Sequence, residues 1–399
     1  MTAPLGVAEA QARLLEPVVP LPSERIAAER AAGRYLAADL VAGRTQPAAD
    51  LSAMDGYAVR GDDMAGPWRV VGESAAGHPF SGVLAAGAAV RISTGAVMPR
   101  GAAAVLLQED AAREQDRVAR AREGQPSARH VRSAGFDFRA GELLLPAGTR
   151  LGPVQLALAI AGGHGEIDAH GLPMVAVIDS GDELASDPAS CAAHQIPASN
   201  GAMLAALAAP FAGSVRRIGP VADRLDALAA ALDEAAPADV IITSGGVSVG
   251  DHDLVRPALE AWGADIDFWR VAMRPGKPLL VGRRGATTVL GLPGNPVSSY
   301  VTAVLFLLPL LRRLAGATEC LPRPIRARLA GGVPAGSARS EFLRARLEGE
   351  QVTALGEQDS SALRTLAAAN ALIERPIGAP PASAGDTVPV YRLENGGIA

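Results

Sequence analysis

The 399-residue sequence is poor in cysteine, histidine and aromatic residues. Its two cysteines, Cys191 and Cys320, are too few for a disulfide framework. The six histidines lack the spacing of zinc ligands, which argues against a zinc enzyme. Aromatic residues make up only 4% of the chain, so alanine, valine and leucine must build the cores.

The chain also has no long run of positive charge and no long apolar run. Its net charge is −5, and the absence of a lysine and arginine block argues against nucleic acid as a partner. The longest mostly apolar stretch, Tyr300–Leu311, is too short to span a bilayer and contains Pro309. Glu9 and Glu16 interrupt the N-terminal apolar residues, so no signal-peptide layout is present. We therefore expect a cytoplasmic protein with no membrane partner.

Length and patterning indicate several domains, because 399 residues are too many for one core. From residue 173 onward, apolar strands alternate with helical segments, which predicts a parallel sheet with helices on both faces. Residues 68–134 contain short strands separated by glycines, which is typical of an all-β module. Residues 318–399 return to strands and suggest a small barrel or sandwich.

The predicted fold class is therefore multidomain, combining α/β and β architecture. It consists of a doubly wound, mainly parallel α/β sheet domain, an N-terminal β-rich domain, a small helical/extended domain and a C-terminal β-barrel-like domain. Their predicted bounds are 1–43 plus 135–170 for the helical/extended domain, 44–134 for the β-rich domain, 171–317 for the α/β domain and 318–399 for the barrel-like domain. Within the first of these, Ser23 is expected to cap a helix that runs through Arg30.

The stretch Val240–Asp253 is the most informative part of the α/β pattern. A short β-branched run is followed at once by Ser244, Gly245 and Gly246, then by a segment containing Ser248. Paired glycines allow φ > 0 and bring backbone N–H groups close to a ligand. In open α/β sheets, such strand-to-helix loops bind anionic ligands.

Other loops of the α/β pattern should meet at the same sheet edge, because the carboxyl ends of parallel strands share one edge. They would bring together carboxylates, a cation and an amide, namely Glu183, Asp251, Asp253, Lys277 and Asn295. Carboxylates suit Mg²⁺ and cations suit oxyanions. Residue types alone thus predict a protein that handles a phosphorylated or anionic small molecule together with Mg²⁺. Asp55-Gly56, considered alone, is an ordinary turn.

Six motifs in this order resemble the molybdopterin molybdenumtransferase family, and together they span almost the whole chain. They are S-A-M-D-G-Y-A-V-R (52–60), R-I-S-T-G-A (91–96), G-D-E-L (181–184), S-G-G-V-S-V-G-D (244–251), R-P-G-K-P (274–278) and G-L-P-G-N-P-V-S (291–298). The resemblance implies a transferase that inserts molybdate into adenylylated molybdopterin with Mg²⁺, yielding molybdenum cofactor and AMP. Residues 171–317 would be its molybdopterin-binding domain.

The resemblance also implies a homodimer whose active site lies between the α/β domain of one subunit and the β-rich domain of the other. Its implied partners extend to the molybdopterin adenylyltransferase and to proteins that accept the finished cofactor. Arg270 and Arg274 stand where the family often has lysine, which keeps the charge but changes the donor geometry.

The family's functional positions fall on residues of every predicted domain except the helical/extended one. The implied catalytic residues are Asp55, Glu183, Asp223, Asp253, Arg270, Arg274 and Lys277, and the metal ligands are Glu183, Asp251 and Asp253. The implied substrate-binding residues are Thr94, Ser244, Gly245, Gly246, Ser248, Gly294, Asn295, Pro296 and Ser298. Arg344 and Ser360 fall near positions used for molybdate, and their donors suit a tetrahedral dianion.

Two alternatives remain at this level. The α/β domain also serves enzymes that adenylylate molybdopterin, although those resemble the isolated domain rather than a chain with residues 1–170 and 318–399 added. A non-catalytic molybdopterin-binding or scaffold protein could use the same fold.

Overall fold

The computed structural model describes residues 4–121, 123–245, 254–276 and 278–393. The α-helices in these residues are α1 (Val7–Leu15), α2 (Pro153–Ala161), α3 (Ser199–Ala208), α4 (Leu225–Ala235), α5 (Val255–Ala261), α6 (Pro296–Thr302), α7 (Leu308–Leu314) and α8 (Leu363–Ala368). A π-helical segment, Ala303–Leu307, joins α6 to α7.

The first half of the chain contributes short strands, most of them antiparallel to their partners. They are β1 (Ser23–Ala27), β2 (Leu40–Val41), β3 (Leu51–Ser52), β4 (Gly56–Val59), β5 (Trp68–Ser74), β6 (Ala88–Ile92), β7 (Ala104–Leu107), β8 (Ala111–Glu114), β9 (Arg117–Arg120), β10 (Val131–Arg132), β11 (Leu143–Leu145) and β12 (Glu166–His170).

The second half contains two of the three six-stranded sheets that the described residues form. Its strands are β13 (Met174–Ser180), β14 (Leu184–Ala185), β15 (Ile196–Pro197), β16 (Ser214–Val221), β17 (Val240–Ser244), β18 (Asp265–Arg270), β19 (Met273–Arg274), β20 (Pro278–Arg284), β21 (Thr287–Leu292), β22 (Ile325–Leu329), β23 (Ser340–Glu348), β24 (Gln351–Ala354), β25 (Ala371–Arg375) and β26 (Thr387–Arg392).

The predicted helix from Ser23 to Arg30 is wrong. Residues 23–27 form β1, which pairs antiparallel with β12 so that Ile26 lies opposite Ile167. A distant strand therefore overrides the local capping pattern. The helix of this region lies earlier, at α1, where Ala10 and Leu14 are fully buried in the core of the α/β sheet.

The N-terminal β-rich region has a sheet with the order β7-β4-β6-β5-β9-β8. Its core contains Trp68, Val59 and Leu106, each at most 1% exposed. The indole N–H of Trp68 donates to the carbonyl of Asp63 at 2.9 Å, so this buried aromatic residue keeps its hydrogen bond.

The α/β sheet has the order β16-β13-β17-β21-β20-β18 and confirms the doubly wound, mainly parallel prediction. The pairings from β16 to β21 are parallel, and β20 and β18 add antiparallel strands at one edge. Alternate residues of β17 face opposite cores: Val240 and Ile242 pack in one cluster and Ile241 in the other. The first cluster lies under α3, α6 and α7 and the second under α4 and α5, so helices cover both faces.

Among the described residues, one helix, Pro296–Leu314, is long and apolar enough by length and composition to cross a membrane. It is a central core element here, because 89% of its most apolar window is buried inside the protein. The side-chain amide of Gln11 donates to the carbonyl of Leu305 at 2.8 Å, which satisfies a backbone group at the π-helical segment.

The C-terminal strands form the predicted barrel. The order β23-β24-β22-β26-β25 closes on itself because β23 also pairs with β25. Ala345, Val352 and Val390 are fully buried inside it. Strand β19, from the loop after the α/β strand β18, adds to the outside of β23 in parallel, with Met273 opposite Ser340. This pairing joins the barrel directly to the α/β domain.

Candidate functional site

A cavity of about 1070 Å³ lies between the edge of the α/β sheet and the loop 357–361 of the barrel. Its floor consists of residues at the carboxyl ends of β13, β17 and β21, including Ser180 and Ser244. The chain runs from β13 to β16 on one side and then returns to β17 on the other, so the cavity lies at a topological switch point. We call this cavity the sheet-edge cleft.

Motifs that are far apart in the sequence meet in the sheet-edge cleft. Nine of the predicted site residues that the structure describes line it: Glu183, Ser244, Gly245, Arg274, Gly294, Asn295, Pro296, Ser298 and Ser360. Gly245 has φ +96°, in the left-handed region that glycine tolerates. A side chain at this position would meet the carbonyl oxygen of Ser180 at 2.8 Å. The glycine therefore allows the backbone after β17 to lie close to that of β13.

Five of the predicted residues lie outside the described part of the chain. They are Gly246, Ser248, Asp251, Asp253 and Lys277. The predicted metal ligands Asp251 and Asp253 are thus not placed by the structure.

A group of carboxylates lies beside the cleft, around Glu183. The backbone N–H of Asp223 donates to Asp182 Oδ1 at 3.1 Å. The pKa of Asp223 is raised, chiefly by desolvation and then by the negative charges of Asp182 and Glu183. Within the described ranges, however, no group of three or more histidine, cysteine, aspartate or glutamate side chains has the geometry of a metal site.

The loop 357–361 closes the cleft from the barrel side. The amide nitrogen of Asn295 donates to the hydroxyl of Ser360 at 3.1 Å, and the backbone N–H of Val297 donates to the Ser360 carbonyl at 3.1 Å. These bonds fix Ser360 at the N-terminus of α6. Ser360 therefore belongs to the cleft although it comes from a different domain.

Arg344, in β23, lies behind this loop and does not line the cleft. Its side chain is fully buried, and Nη2 donates to the carbonyls of Glu357 and Asp359 at 3.0 Å each. Desolvation lowers the pKa of this guanidinium. Its Nε and Nη1 atoms have no hydrogen-bond partner among the residues that the structure describes. Arg344 thus holds the loop that carries Ser360 and retains unused donors.

Asp55 and Thr94 lie together on the β-rich domain. Thr94 donates to Asp55 Oδ1 twice, from its backbone N–H at 2.6 Å and from its hydroxyl at 3.1 Å. Both bonds lower the pKa of Asp55, and the bond from the backbone N–H has the larger effect. Both residues are exposed, and neither lines the sheet-edge cleft of its own chain.

Arg270 is also placed away from the cleft lining, at the end of β18. Its carbonyl accepts a hydrogen bond from the N–H of Leu5 at 2.8 Å, so its backbone anchors the N-terminal segment.

Sequence reasoning missed two residues that shape the cleft wall. Asp179, next to last in β13, is only 3% exposed, lies 3.6 Å from Arg217 Nη2 and accepts the backbone N–H of Gly201. Desolvation nevertheless raises the pKa of Asp179. Asn200 donates its amide to the carbonyl of Gly294 at 2.6 Å. A carboxylate at the end of an otherwise apolar strand was the signal available for Asp179.

The geometry defines a multidomain protein whose α/β sheet has, at its carboxyl edge, a cleft lined by charged and polar side chains. Comparison with family models matches three regions of the chain. Residues 5–163 match the MoeA N-terminal region (domain I and II), residues 176–313 match a probable molybdopterin binding domain, and residues 326–393 match the MoeA C-terminal region (domain IV).

Relatives with similar sequences cover nearly the whole chain. Molybdopterin molybdenumtransferase 2 of Mycobacterium tuberculosis is 36% identical over 383 residues, which is 91% of this chain and 93% of the relative. Molybdopterin molybdenumtransferase of a Nostoc species is 36% identical over 378 residues, 90% of this chain and 86% of the relative. The chain belongs to the molybdopterin molybdenumtransferase family.

Solved structures agree with this membership. Two crystal structures of the molybdopterin biosynthesis MoeA protein of Pyrococcus horikoshii superpose with TM-scores of 0.82 and 0.79, at 26% and 29% identity. Each covers 98% of this chain and at least 99% of the other. The multidomain arrangement is therefore shared over the full length.

Proposed function

We propose that this protein inserts molybdenum from molybdate into adenylylated molybdopterin and releases AMP. The observation that carries the proposal is the meeting of nine predicted site residues, from four separate motifs and the barrel, in one cavity of about 1070 Å³. That volume suits a ligand larger than a mononucleotide. Adenylylation of molybdopterin, or binding without catalysis, is not favoured, because the relatives that match nearly the full chain are named molybdenumtransferases.

We propose Mg²⁺ as the cofactor, held by Glu183 in the cleft, with Asp223 beside it and Asp251 and Asp253 contributed by the adjoining loop. The nearby carboxylates of Asp182 and Glu183 support this, because their negative charges add to the desolvation that raises the pKa of Asp223, and a divalent cation would relieve that repulsion. When bound, Mg²⁺ would neutralise phosphate charge during cleavage of the nucleotide. Lys277 and Arg274, from the same R-P-G-K-P motif, would hold the phosphate oxygens, and Arg270 is proposed to act near them.

The substrate itself would lie along the loops after β17 and β21. We assign its contacts to Ser244, Gly245, Gly246, Ser248, Gly294, Asn295, Pro296 and Ser298. The Ser360 hydroxyl, fixed by Asn295, would donate to molybdate. The buried positive charge of Arg344 would stabilise that dianion from behind the loop, an arrangement supported by its unused donors.

We propose a homodimer whose active site is completed by Asp55 and Thr94 of the second subunit. In a single chain these residues are solvent-exposed and lie outside the cleft lining. An apolar surface that a second copy could cover lies on α2 and the β2–β11 pair. Val41 and Leu143 are cross-strand partners, 43% and 56% exposed, and Val154 and Ile160 on α2 are 74% and 49% exposed.

The four-part division with bounds 1–43 plus 135–170, 44–134, 171–317 and 318–399 is also a proposal, supported by the separate sheets in these regions. We further propose a cytoplasmic location. We also propose that the protein contacts the molybdopterin adenylyltransferase and proteins that accept the cofactor. We propose no contacts with nucleic acid or membrane.

The proposed activity is tested by supplying adenylylated molybdopterin, Mg²⁺ and molybdate to the purified protein. We expect AMP release that depends on all three, together with molybdenum retained on the pterin. Folded protein that binds the substrate without releasing AMP would support the scaffold alternative. Turnover of ATP with molybdopterin would support the adenylyltransferase instead.

A further inference from the structure

Both arginines that line the described part of the sheet-edge cleft lie on the same wall. The wall formed by the end of β13 and the loop after it contributes the carboxylates of Asp179 and Glu183. The wall at the junction with the barrel contributes the guanidinium groups of Arg274 and Arg339, together with the carboxylate of Asp359. A ligand with both phosphate oxygens and a bound cation would therefore have a preferred orientation in the cleft.

Most of these charges already have partners within the protein. Asp179 lies near Arg217, and Arg274 Nη1 lies 3.8 Å from Glu341 Oε1. Asp359, also in the lining, accepts hydrogen bonds from the backbone N–H and hydroxyl of Ser361 at 2.8 and 2.6 Å. In the part of the chain that the structure describes, Glu183 and Arg339 are the charged lining residues with neither an ion pair nor a side-chain hydrogen bond.

The position of Arg339 is fixed by the junction between the two domains. The backbone N–H of the next residue, Ser340, donates to the carbonyl of Ala272 at 2.9 Å, and Ser340 lies opposite Met273 in the β19–β23 pair. Arg339 thus enters the cleft beside Arg274, from a backbone that both domains hold. Its side chain is partly buried, which reduces the solvent screening of its charge.

We propose that Arg339 is a phosphate-binding residue of the cleft and contacts the phosphate of the nucleotide part of the ligand. This inference rests on the proposed function for the nature of the ligand. An arginine fork can bind two oxygens of a phosphate at once, and the opposite carboxylate wall repels phosphate towards it. Molybdate is also a tetrahedral oxyanion, and the experiment separates the two.

The test compares Arg339→Gln with Arg339→Lys and with a matched control, Arg346→Gln. Arg346 lies on β23, the strand that directly follows Arg339, but its Nε forms an exposed ion pair with Glu348 at 2.8 Å, and Arg346 is absent from the cleft lining. Titration calorimetry with AMP, adenosine and molybdate, each with Mg²⁺ present, measures the affinities. We expect Arg339→Gln to weaken AMP binding about 10-fold to 100-fold, Arg339→Lys to have an intermediate effect, and Arg346→Gln to match the unchanged protein.

Adenosine binding should be the same in all variants, because adenosine has no phosphate. The proposal is overturned if Arg339→Gln binds AMP normally, or if it loses adenosine and AMP equally, which would indicate a merely structural role. Loss of molybdate binding with normal AMP binding would assign Arg339 to the other oxyanion and would also overturn the proposal, as would an unchanged protein that binds no AMP. AMP binding that depends on Arg339, in a protein that inserts no molybdenum, would contradict the proposed function alone.

Discussion

The two regions that carry the predicted catalytic acids are built in opposite ways. Asp55 lies exposed on the β-rich sheet and is held by two hydrogen bonds from one residue, Thr94. Glu183 lines a large cleft, and its charge adds to the desolvation that raises the pKa of the nearby Asp223. Asp55 is thus favoured in its ionised form on an exposed surface outside the sheet-edge cleft, whereas the cleft carries two carboxylates on one wall.

This difference suggests that the regions are two halves of one site. An acid held ionised by hydrogen bonds needs no metal, and it is available to a ligand that arrives from outside its own domain. A cleft with a carboxylate wall needs a cation before it can accept a phosphate. The two halves supplement each other only if a second chain brings Asp55 to the cleft.

The largest effect on turnover should come from variants that each carry a defect in one of the two halves. We expect Asp55→Asn and Glu183→Gln each to lower turnover by about 100-fold or more, since each removes a charge from the reacting centre. A mixture refolded from both variants should regain part of the activity, because each mixed dimer has one site with neither substitution. The measurement is AMP release before and after mixing.

The matched control mixes Asp55→Asn with Asp55→Ala, two variants of the same half. Every site in that mixture keeps one defect, so no activity should return. Equal recovery in both mixtures, or none in either, would contradict a cleft shared between two chains.

A smaller effect tests how tightly the cleft wall is packed. A methyl group at Gly201 would overlap Asp179 Oδ2, so we expect Gly201→Ala to lower the free energy of unfolding by about 1–3 kcal/mol. In an Asp179→Ala background the overlap is absent, and the better helix propensity of alanine should make the same change neutral or stabilising by up to about 1 kcal/mol. Denaturant unfolding of the four proteins measures this coupling, and purely additive effects would argue against it.

The smallest effect concerns the exposed half. Thr94→Val removes the hydroxyl donor to Asp55 but keeps the stronger backbone N–H bond, so the pKa of Asp55 should rise part of the way towards its ordinary value. If ionised Asp55 is required, the acid limb of the kcat/KM profile then moves to higher pH. Thr94→Ser retains a hydroxyl and should leave the limb in place. An acid limb that is the same in Thr94→Val and the unchanged protein would exclude Asp55 as its origin.

The α/β part of the fold was predictable from the sequence because its pattern is local. The run Val240–Ile242 is fully buried on both faces of the sheet, as its composition indicates. Strand β1 was not predictable in this way, because its conformation depends on β12, which comes about 140 residues later. Local capping signals favoured a helix there.

The site was predictable to the extent that it follows from the edge of one sheet. Ser244, Asn295 and Glu183 meet because parallel strands end at a common edge. The roles of Arg344 and Asp179 depend on burial and on loops packed from elsewhere in the chain, which no local pattern encodes. The contact between Asp55 and Thr94 likewise depends on how β4 and β6 are paired.

The short β19–β23 pairing has a mechanical consequence. Strand β19 carries Arg274 at the start of the R-P-G-K-P loop, while β23 begins the barrel and follows Arg339. A rotation of the barrel as a rigid body would pull this loop with it, so the width of the cleft and the spacing of its two arginines would change together. A chimera that carries the barrel of another family member should therefore also acquire the cleft width and the arginine spacing of that member.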